Sequence, residues 1–237
     1  MQATRTEITQ ELHRQGCAEK AEWWNHYLKG EIPFIGVGTP EIRKVFLERD
    51  RQYAFGQLPM NRQVSLVNGL MRGDFAEEKL AAILYVQLFW LDSQSPRFLM
   101  NLVSDWFDER NIYDWNTTDW LSIRILAPLV DTGDPEVIWK LKRWNRDSSL
   151  WKARASMVPF ARVSSITSHT AVIYRFADIL IRRKERYAKT AVGWVLREYS
   201  KHDREFVLSF LSKHVKYITA EVKRNALKYY RGKSRQS

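Results

Sequence analysis

The sequence predicts an all-α fold in which helices repeat along a solenoid. Helical patterns follow one another along most of the chain, joined by short turns, and no stretch alternates with period two for long enough to predict a strand. Polar residues also recur at an interval of 35 residues, at Asp119, Arg154, Lys189 and Arg224. Because equivalent positions of stacked repeats line one face, this interval predicts a concave surface that binds a charged ligand.

The N-terminal part is predicted to hold two helices within residues 4–29, parted near Gly16. The glycines and the proline of the stretch GEIPFIGVGTPEIRKVF, residues 30–46, then predict a loop. Thr39 is the expected N-cap of the next helix. Pro40 would occupy its first position, where a missing N–H has no helical partner to lose.

Helical patterns continue from there to residue 230. They cover 58–72, 75–91, 95–109, 116–130, 135–145, 149–163, 170–184, 187–201, 204–214 and 218–230. We expect one domain, 1–230, in which residues 1–72 fit the 35-residue interval less well and form N-terminal capping helices, while 73–230 form the repeats. The tail 231–237 contains no apolar residue and is expected to be disordered.

The composition is that of a soluble globular protein, with 45% hydrophobic and 27% charged residues among 237. No apolar run is long enough to span a bilayer, and the polar N-terminus shows no signal peptide. The single cysteine, Cys17, excludes an internal disulfide and a cysteine-clustered metal site, and the five histidines show no ligand spacing. We therefore expect a cytoplasmic protein without metal or cofactor.

The net charge of +11 is distributed unevenly along the chain. Residues 1–110 hold 13 Lys and Arg against 15 Asp and Glu, a net charge of −2, whereas residues 111–237 hold 25 against 12, a net charge of +13. Such asymmetry indicates a polyanionic partner for the second half, and nucleic acid is the leading candidate. A basic surface without a ligand explains the charge alone equally well.

The stretch YAKTAVGWVLREYSK, residues 187–201, is predicted to be an amphipathic helix with two distinct faces. One face is an apolar stripe of Ala188, Ala191, Val195 and Tyr199. Another brings together Trp194, Arg197 and Lys201, with Lys189 nearby. An indole among cations predicts a negatively charged partner that has an apolar part. Glu198 lies off this face and is expected to be a solvated partner of the neighbouring cations.

Trp115 and Asp119 are four residues apart and therefore share one face of a helix. A carboxylate flanked by indoles in a basic groove would stabilise a developing positive charge and orient a water molecule, as in glycosidic cleavage. No second carboxyl group is evident, which suits a leaving group that is already cationic. Two alternatives remain open: Asp119 pairs with Arg154 in a ladder between repeats, and Trp115 belongs to the core.

Four stretches together resemble the AlkD-like family of DNA alkylation repair proteins. They occur in the family's order, at similar spacings, across nearly the whole chain: GVGTPEIRK at 36–44, WNTTD at 115–119, LWKARAS at 150–156 and KTAVGWVLREYSK at 189–201. The resemblance implies a HEAT-like solenoid of antiparallel helix pairs with duplex DNA in a basic concave groove. It also implies a monofunctional glycosylase that excises cationic N3- and N7-alkylpurines without flipping the base into a pocket. Such an enzyme uses no metal and no cofactor.

The resemblance also assigns roles to individual residues. Asp119 would be the catalytic carboxylate, Trp115 and Trp194 would contact the sugar and backbone of the lesion, and Arg154 would bind DNA near the lesion. Tyr27 and Thr39 match family positions that would touch the opposite strand. The face and repeat arguments add four further DNA-binding candidates: Lys189, Arg197, Lys201 and Arg224.

One position departs from the family pattern. Family members carry a second acid directly after the first tryptophan, whereas this chain has Asn116 there and Asp114 before Trp115. The spacing of four residues from Trp115 to Asp119 is intact, so the departure concerns the range of substrates more than the alignment of this sequence with the family motif. We expect the glycosylase to be a monomer that acts on double-stranded DNA with alkylated bases. The alternative is a non-catalytic HEAT-repeat protein that binds branched or distorted DNA. A protein-interaction scaffold is the third possibility.

Overall fold

A computed structural model describes the backbone of residues 2–230 and the side chains of residues 5–230. Every regular element in this part of the chain is a helix and none is a strand, so the all-α prediction is confirmed. None of these helices combines the length and the apolar character needed to cross a membrane. The predicted disordered tail, 231–237, lies outside the described residues.

The chain divides into two compact units, Met1–Trp120 and Leu121–Ser237, hereafter unit 1 and unit 2. The predicted division into capping helices and repeats within one domain stays a prediction. Unit 1 contains the following helices: α1 Gln2–Arg14, α2 Ala18–Tyr27, α3 Thr39–Tyr53, α4 Met60–Met71, α5 Ala76–Tyr85, α6 Pro96–Asp108 and α7 Trp115–Leu121, which ends one residue into unit 2.

The core of unit 1 is rich in aromatic side chains. Phe46, Phe55, Tyr85 and Trp90 are fully buried and contact one another through their rings. The amide oxygen of Gln63 accepts hydrogen bonds from the hydroxyl group of Tyr85 and from the indole N–H of Trp90, both at 2.8 Å. Buried polar groups of aromatic residues usually find such partners, which orients these large rings in the core.

Unit 2 consists of two layers of helices. Its elements are α8 Ala127–Asp131, α9 Pro135–Trp144, α10 Leu150–Met157, α11 Thr170–Ile181, α12 Arg186–Tyr199, α13 Arg204–Lys213 and α14 Ala220–Ala226. In one layer α10 packs on α12 and α12 packs on α14, and we call it the even layer. The odd layer consists of α9, α11 and α13, which pack on these helices. Consecutive helices joined by short turns and packed side by side run antiparallel.

Side-chain contacts in unit 2 recur at the predicted repeat interval. Arg186 bonds to Glu221 and Arg182 bonds to Tyr217, each across 35 residues. At 36 residues, Arg154 donates to the hydroxyl group of Thr190. Contacts at this constant separation are expected when equivalent positions of successive repeats lie side by side.

Three predicted helices differ from the observed ones at positions where the backbone chemistry explains the difference. Thr39 is the first residue of α3 and not its N-cap, because the carbonyl group of Gly38 already accepts the N–H of Ile42 at 2.9 Å. The predicted helix 116–130 contains a π-helical turn, Ser122–Leu126, one turn before Pro128, which has no N–H to donate. The predicted helix 149–163 ends at Met157 and continues as a 3-10 turn, Val158–Ala161, because Pro159 has no N–H to donate to the helix.

Candidate nucleic-acid interface

The start of α7 is held in place by Asp114. This residue is fully buried, and its Oδ1 accepts the backbone N–H of Thr117 at 2.8 Å, which is the N-cap geometry. Burial raises the pKa of Asp114 above its ordinary range. Asp114 therefore acts as the cap of α7, and Asn116, which follows Trp115, is buried. The capped helix presents Trp115 and Asp119 on one face.

Trp115 belongs in part to the core and in part to the surface. The partly buried ring packs on a cluster formed by Leu28, Ile32, Phe34 and Ala76. Tyr27 meets it edge to face, with ring centroids 5.7 Å apart and an interplanar angle of 74°. Packing of Trp115 on the core is thus compatible with contact between its ring and a ligand, because the cluster anchors the ring.

The aromatic surface of unit 1 extends beyond Tyr27 to Trp23, a residue that the sequence analysis did not select. Their rings stack at 5.2 Å with an interplanar angle of only 6°, and the side chains are 54% and 58% exposed. The spacing of four residues on α2 was a usable signal, since it places both rings on one helical face. Two stacked, exposed aromatic rings are typical of surfaces that bind flat ligands.

The glycine-containing loop before α3 is held by a buried carboxylate, that of Glu77. Its two oxygens accept three successive backbone N–H groups, from Ile35 at 3.0 Å, Gly36 at 2.8 Å and Val37 at 3.1 Å. At Gly36 φ is +91°, and an added Cβ would lie 2.1 Å from a carbonyl oxygen, so only glycine fits. Thr39 follows this loop directly, as the first residue of α3, and is partly exposed.

Arg154, on α10, lies almost entirely inside unit 2, with 4% of its surface exposed. Its Nη1 donates to the carbonyl oxygen of Tyr187 at 2.7 Å and to Oγ1 of Thr190 at 3.1 Å. The arginine therefore fixes the first turn of α12 one repeat further along the chain. These bonds give Arg154 a structural role in unit 2, and its contact with DNA stays a prediction.

Lys189 and Arg224 differ in the solvent exposure of their side chains. The Nζ of Lys189 donates to the carbonyl oxygen of Tyr217 at 2.9 Å, so this lysine links α12 to the following repeat. Arg224 is exposed on α14 and borders a shallow depression together with Lys228. Of the four residues at the 35-residue interval, Arg224 is thus the cation most open to a ligand.

The predicted apolar stripe of α12 is confirmed, since all four of its members are buried: Ala188, Ala191, Val195 and Tyr199. Gly193, on the same helix, allows α14 to approach closely, because an added Cβ would lie 3.3 Å from the Cα of Val222. Trp194 is partly buried, and its indole N–H has no hydrogen-bond partner among the described residues. The guanidinium of Arg197 lies 5.9 Å from the indole centroid, as the predicted face requires.

Glu198 is a buried partner of two cations, and the expectation that it is solvated is wrong. It pairs with Arg197 and with Lys201, as predicted, yet only 9% of the residue is exposed, because α12 turns this side chain toward the protein. Burial works to raise the pKa of Glu198, but hydrogen bonds from Lys201 and Arg197 lower it below the ordinary range. The carboxylate therefore holds both cations in place at neutral pH.

The positive charge of the protein resides in unit 2. Residues 121–237 contain 25 Lys and Arg against 10 Asp and Glu, whereas residues 1–120 contain 13 against 17. The net charges are therefore +15 and −4. The aromatic surface around Trp115 belongs to the acidic unit, and the predicted cations all belong to the basic one.

Comparison with known proteins assigns the family. A family model described as "DNA alkylation repair enzyme" matches residues 8–230. The chain belongs to the DNA alkylation repair enzyme family. A solved structure from Enterococcus faecalis, described as a predicted DNA alkylation repair enzyme, has the same fold, with a TM-score of 0.78 and 17% identity over 91% of this chain and 96% of that chain. No curated protein matches the sequence.

Membership of the DNA alkylation repair enzyme family implies DNA as the substrate or partner of this protein. Phosphate groups are the anions that clustered Lys and Arg neutralise. In this family member the described residues contain no group of three or more His, Cys, Asp or Glu side chains arranged to hold a metal ion.

Proposed function

We propose that the protein is a monofunctional DNA glycosylase that hydrolyses the N-glycosidic bond of cationic alkylpurines, N3-alkyladenine and N7-alkylguanine, in duplex DNA. The observation that carries the proposal is the position of Asp119. This carboxyl group is only 8% exposed and shares a face of the capped helix α7 with Trp115. A carboxylate in such a low-dielectric position interacts more strongly with a nearby positive charge than it would in water.

The chemistry requires little from the protein because the leaving group carries a positive charge. The bond between C1′ and the purine nitrogen breaks with its electron pair going to the base, which departs neutral. Asp119 stabilises the oxocarbenium-like sugar and orients the water whose oxygen bonds to C1′ and whose proton is released. Trp115 contributes its ring face to the same cation, an interaction of roughly 0.5–2 kcal/mol. No base needs to enter a pocket, and no metal or cofactor takes part.

The remaining candidates serve DNA binding in this proposal. Arg224, Arg197 and Lys201 neutralise phosphates, and Trp194 offers a partly exposed indole. Lys189 and Arg154 support them by holding the even layer together, as their hydrogen bonds to neighbouring repeats indicate.

Tyr27 and Thr39, on the N-terminal side, contact the opposite strand in the proposed complex. Trp23 extends the surface of Tyr27, because their rings are parallel and more than half exposed. Base stacking on aromatic rings contributes roughly 1–3 kcal/mol per base.

The test is release of free base from a duplex that contains N7-methylguanine. We expect wild-type protein to release it, and Asp119→Asn to lower the single-turnover rate by about 10²-fold, the usual effect of removing one preorganised electrostatic group. Asp119→Asn should keep its affinity for DNA or gain some, because it removes a negative charge. Asp105→Asn makes the same chemical change at an exposed position on α6 and should behave like wild type.

Each outcome separates the glycosylase from the other functions. Equal rates of base release for wild type and Asp119→Asn would show that this carboxylate has a purely structural role. No base release by wild type, together with DNA binding that weakens steeply with salt, would identify a non-catalytic binder of distorted or branched DNA. Binding that is insensitive to salt would instead favour a protein-interaction scaffold.

A further inference from the structure

A groove between α9 and α11 lies in the odd layer of unit 2, away from the helices that carry the predicted DNA contacts. Its volume is about 370 Å³. Apolar side chains of both helices line it, among them Ile138, Val172 and Ile179. Contiguous apolar surface with a polar rim marks a binding groove more often than scattered apolar residues do.

Three exposed cations surround this apolar lining: Lys142 on α9, Arg146 in the turn that follows α9, and Arg175 on α11. Within residues 5–230 none of them forms an ion pair with a carboxylate. Because none of the three pairs with a carboxylate in this part of the chain, this cluster is available for an anionic ligand.

The one carboxylate in the lining, that of Asp178, is already neutralised by other groups. It accepts a hydrogen bond from Arg182 at 2.7 Å and contacts Nε2 of His214 at 2.7 Å. Asp178 therefore leaves the positive potential of Lys142 and Arg175 at the groove largely intact.

Two further exposed residues of α9 follow the lining residues Ile138 and Lys142 in sequence. Trp139 is 56% exposed, and the guanidinium of Arg143 lies 4.9 Å from its ring centroid. Tryptophan and arginine are the residues most enriched among those that dominate binding energy at interfaces. From Ile138 to its end at Trp144, α9 extends about 9 Å, the length of roughly three residues of extended chain.

We propose that this groove binds a short acidic segment of another protein, with carboxylates on the three cations and one or two large apolar side chains on the lining. A DNA backbone would satisfy the cations but would leave the apolar lining uncovered. The proposal is independent of base excision, because none of the groove residues belongs to the proposed DNA-binding or catalytic set.

The experiment measures fluorescence anisotropy of a labelled peptide, Asp-Asp-Leu-Asp-Phe-Asp-Asp, with the full-length protein. We expect saturable binding, weakened at least tenfold by the double variant Lys142→Glu, Arg175→Glu. The matched control, Lys184→Glu with Lys223→Glu, makes the same charge change at exposed positions of unit 2 outside the groove and should bind like wild type. Circular dichroism verifies that both variants are folded.

Two further peptides separate the contributions of charge and apolar contact. One replaces Leu and Phe by Ser, and the other replaces every Asp by Asn; each should bind at least tenfold more weakly than the parent peptide. Undiminished binding of the serine peptide, or equal affinity of wild type and the groove variant, would overturn the proposal. A third result would also overturn it: wild type does not bind the peptide, and the groove variant, unlike the control variant, loses affinity for duplex DNA. The groove would then be a DNA-binding site.

Discussion

Replacing Glu77 by Gln tests the interpretation that one buried carboxylate holds the loop before α3. Glu77 is 1% exposed, and its oxygens accept the N–H groups of Ile35, Gly36 and Val37. Glutamine has nearly the same shape but only one acceptor oxygen. That oxygen can keep the bonds to Gly36 and Val37, which both use Oε1, whereas the amide NH₂ would face the N–H of Ile35, a donor against a donor.

The expected loss of stability follows from these three bonds. A hydrogen bond to a charged group contributes roughly 1.5–3 kcal/mol, and a neutral one roughly 0.5–1.5 kcal/mol. Glu77→Gln removes one charged bond, weakens two others, and regains part of the free energy of burying a carboxylate. We therefore expect the free energy of unfolding to fall by about 3 kcal/mol, and Tm to fall by about 6–12 °C for a chain of this size.

Urea denaturation followed by circular dichroism measures this difference. Glu48→Gln is the matched control, because Glu48 is 47% exposed and only approaches Lys44 at 3.9 Å. Exposed pairs of this kind contribute roughly 0.3–0.5 kcal/mol. If Glu77→Gln were no less stable than Glu48→Gln, the carboxylate would not be what holds the loop, and the reasoning would be refuted.

Three other perturbations have defined outcomes. Gly193→Leu should lower the free energy of unfolding by about 1–3 kcal/mol because the side chain meets Val222 of α14, while Gly193→Ala stays near wild type in urea denaturation. Asp114→Ala should lose about 1–2 kcal/mol with the cap bond to Thr117, and Asp114→Asn, which keeps an acceptor, should lose less by the same measurement. Burial works to raise the pKa of Asp178, but hydrogen bonds from its two partners lower it, so its stabilisation is present above the ordinary pKa of the carboxyl group and is lost as pH falls. Between about pH 6 and pH 3 the Tm of wild type should therefore fall further than that of Asp178→Asn, and equal slopes would contradict this.

Much of α12 could be predicted from its own sequence. The apolar stripe and the shared face of Trp194 and Arg197 both follow from the 3.6-residue period of a helix, which depends only on local spacing. The environment of Glu198 could not be predicted in this way. Whether a side chain beside the apolar stripe is solvated or buried depends on how the neighbouring parts of the chain pack on α12, which the local spacing does not contain.

The sequence by itself determined the helical class, the 35-residue interval in unit 2 and the shared face of Trp115 and Asp119. These features are encoded within single helices or as a constant distance along the chain, so no tertiary information is needed to find them. The tertiary structure alone decided that Glu77 holds the glycine loop and that Arg154 fixes the start of α12. Those partners are 33 to 42 residues apart in sequence, and no local pattern identifies which donor meets which acceptor once the helices have packed.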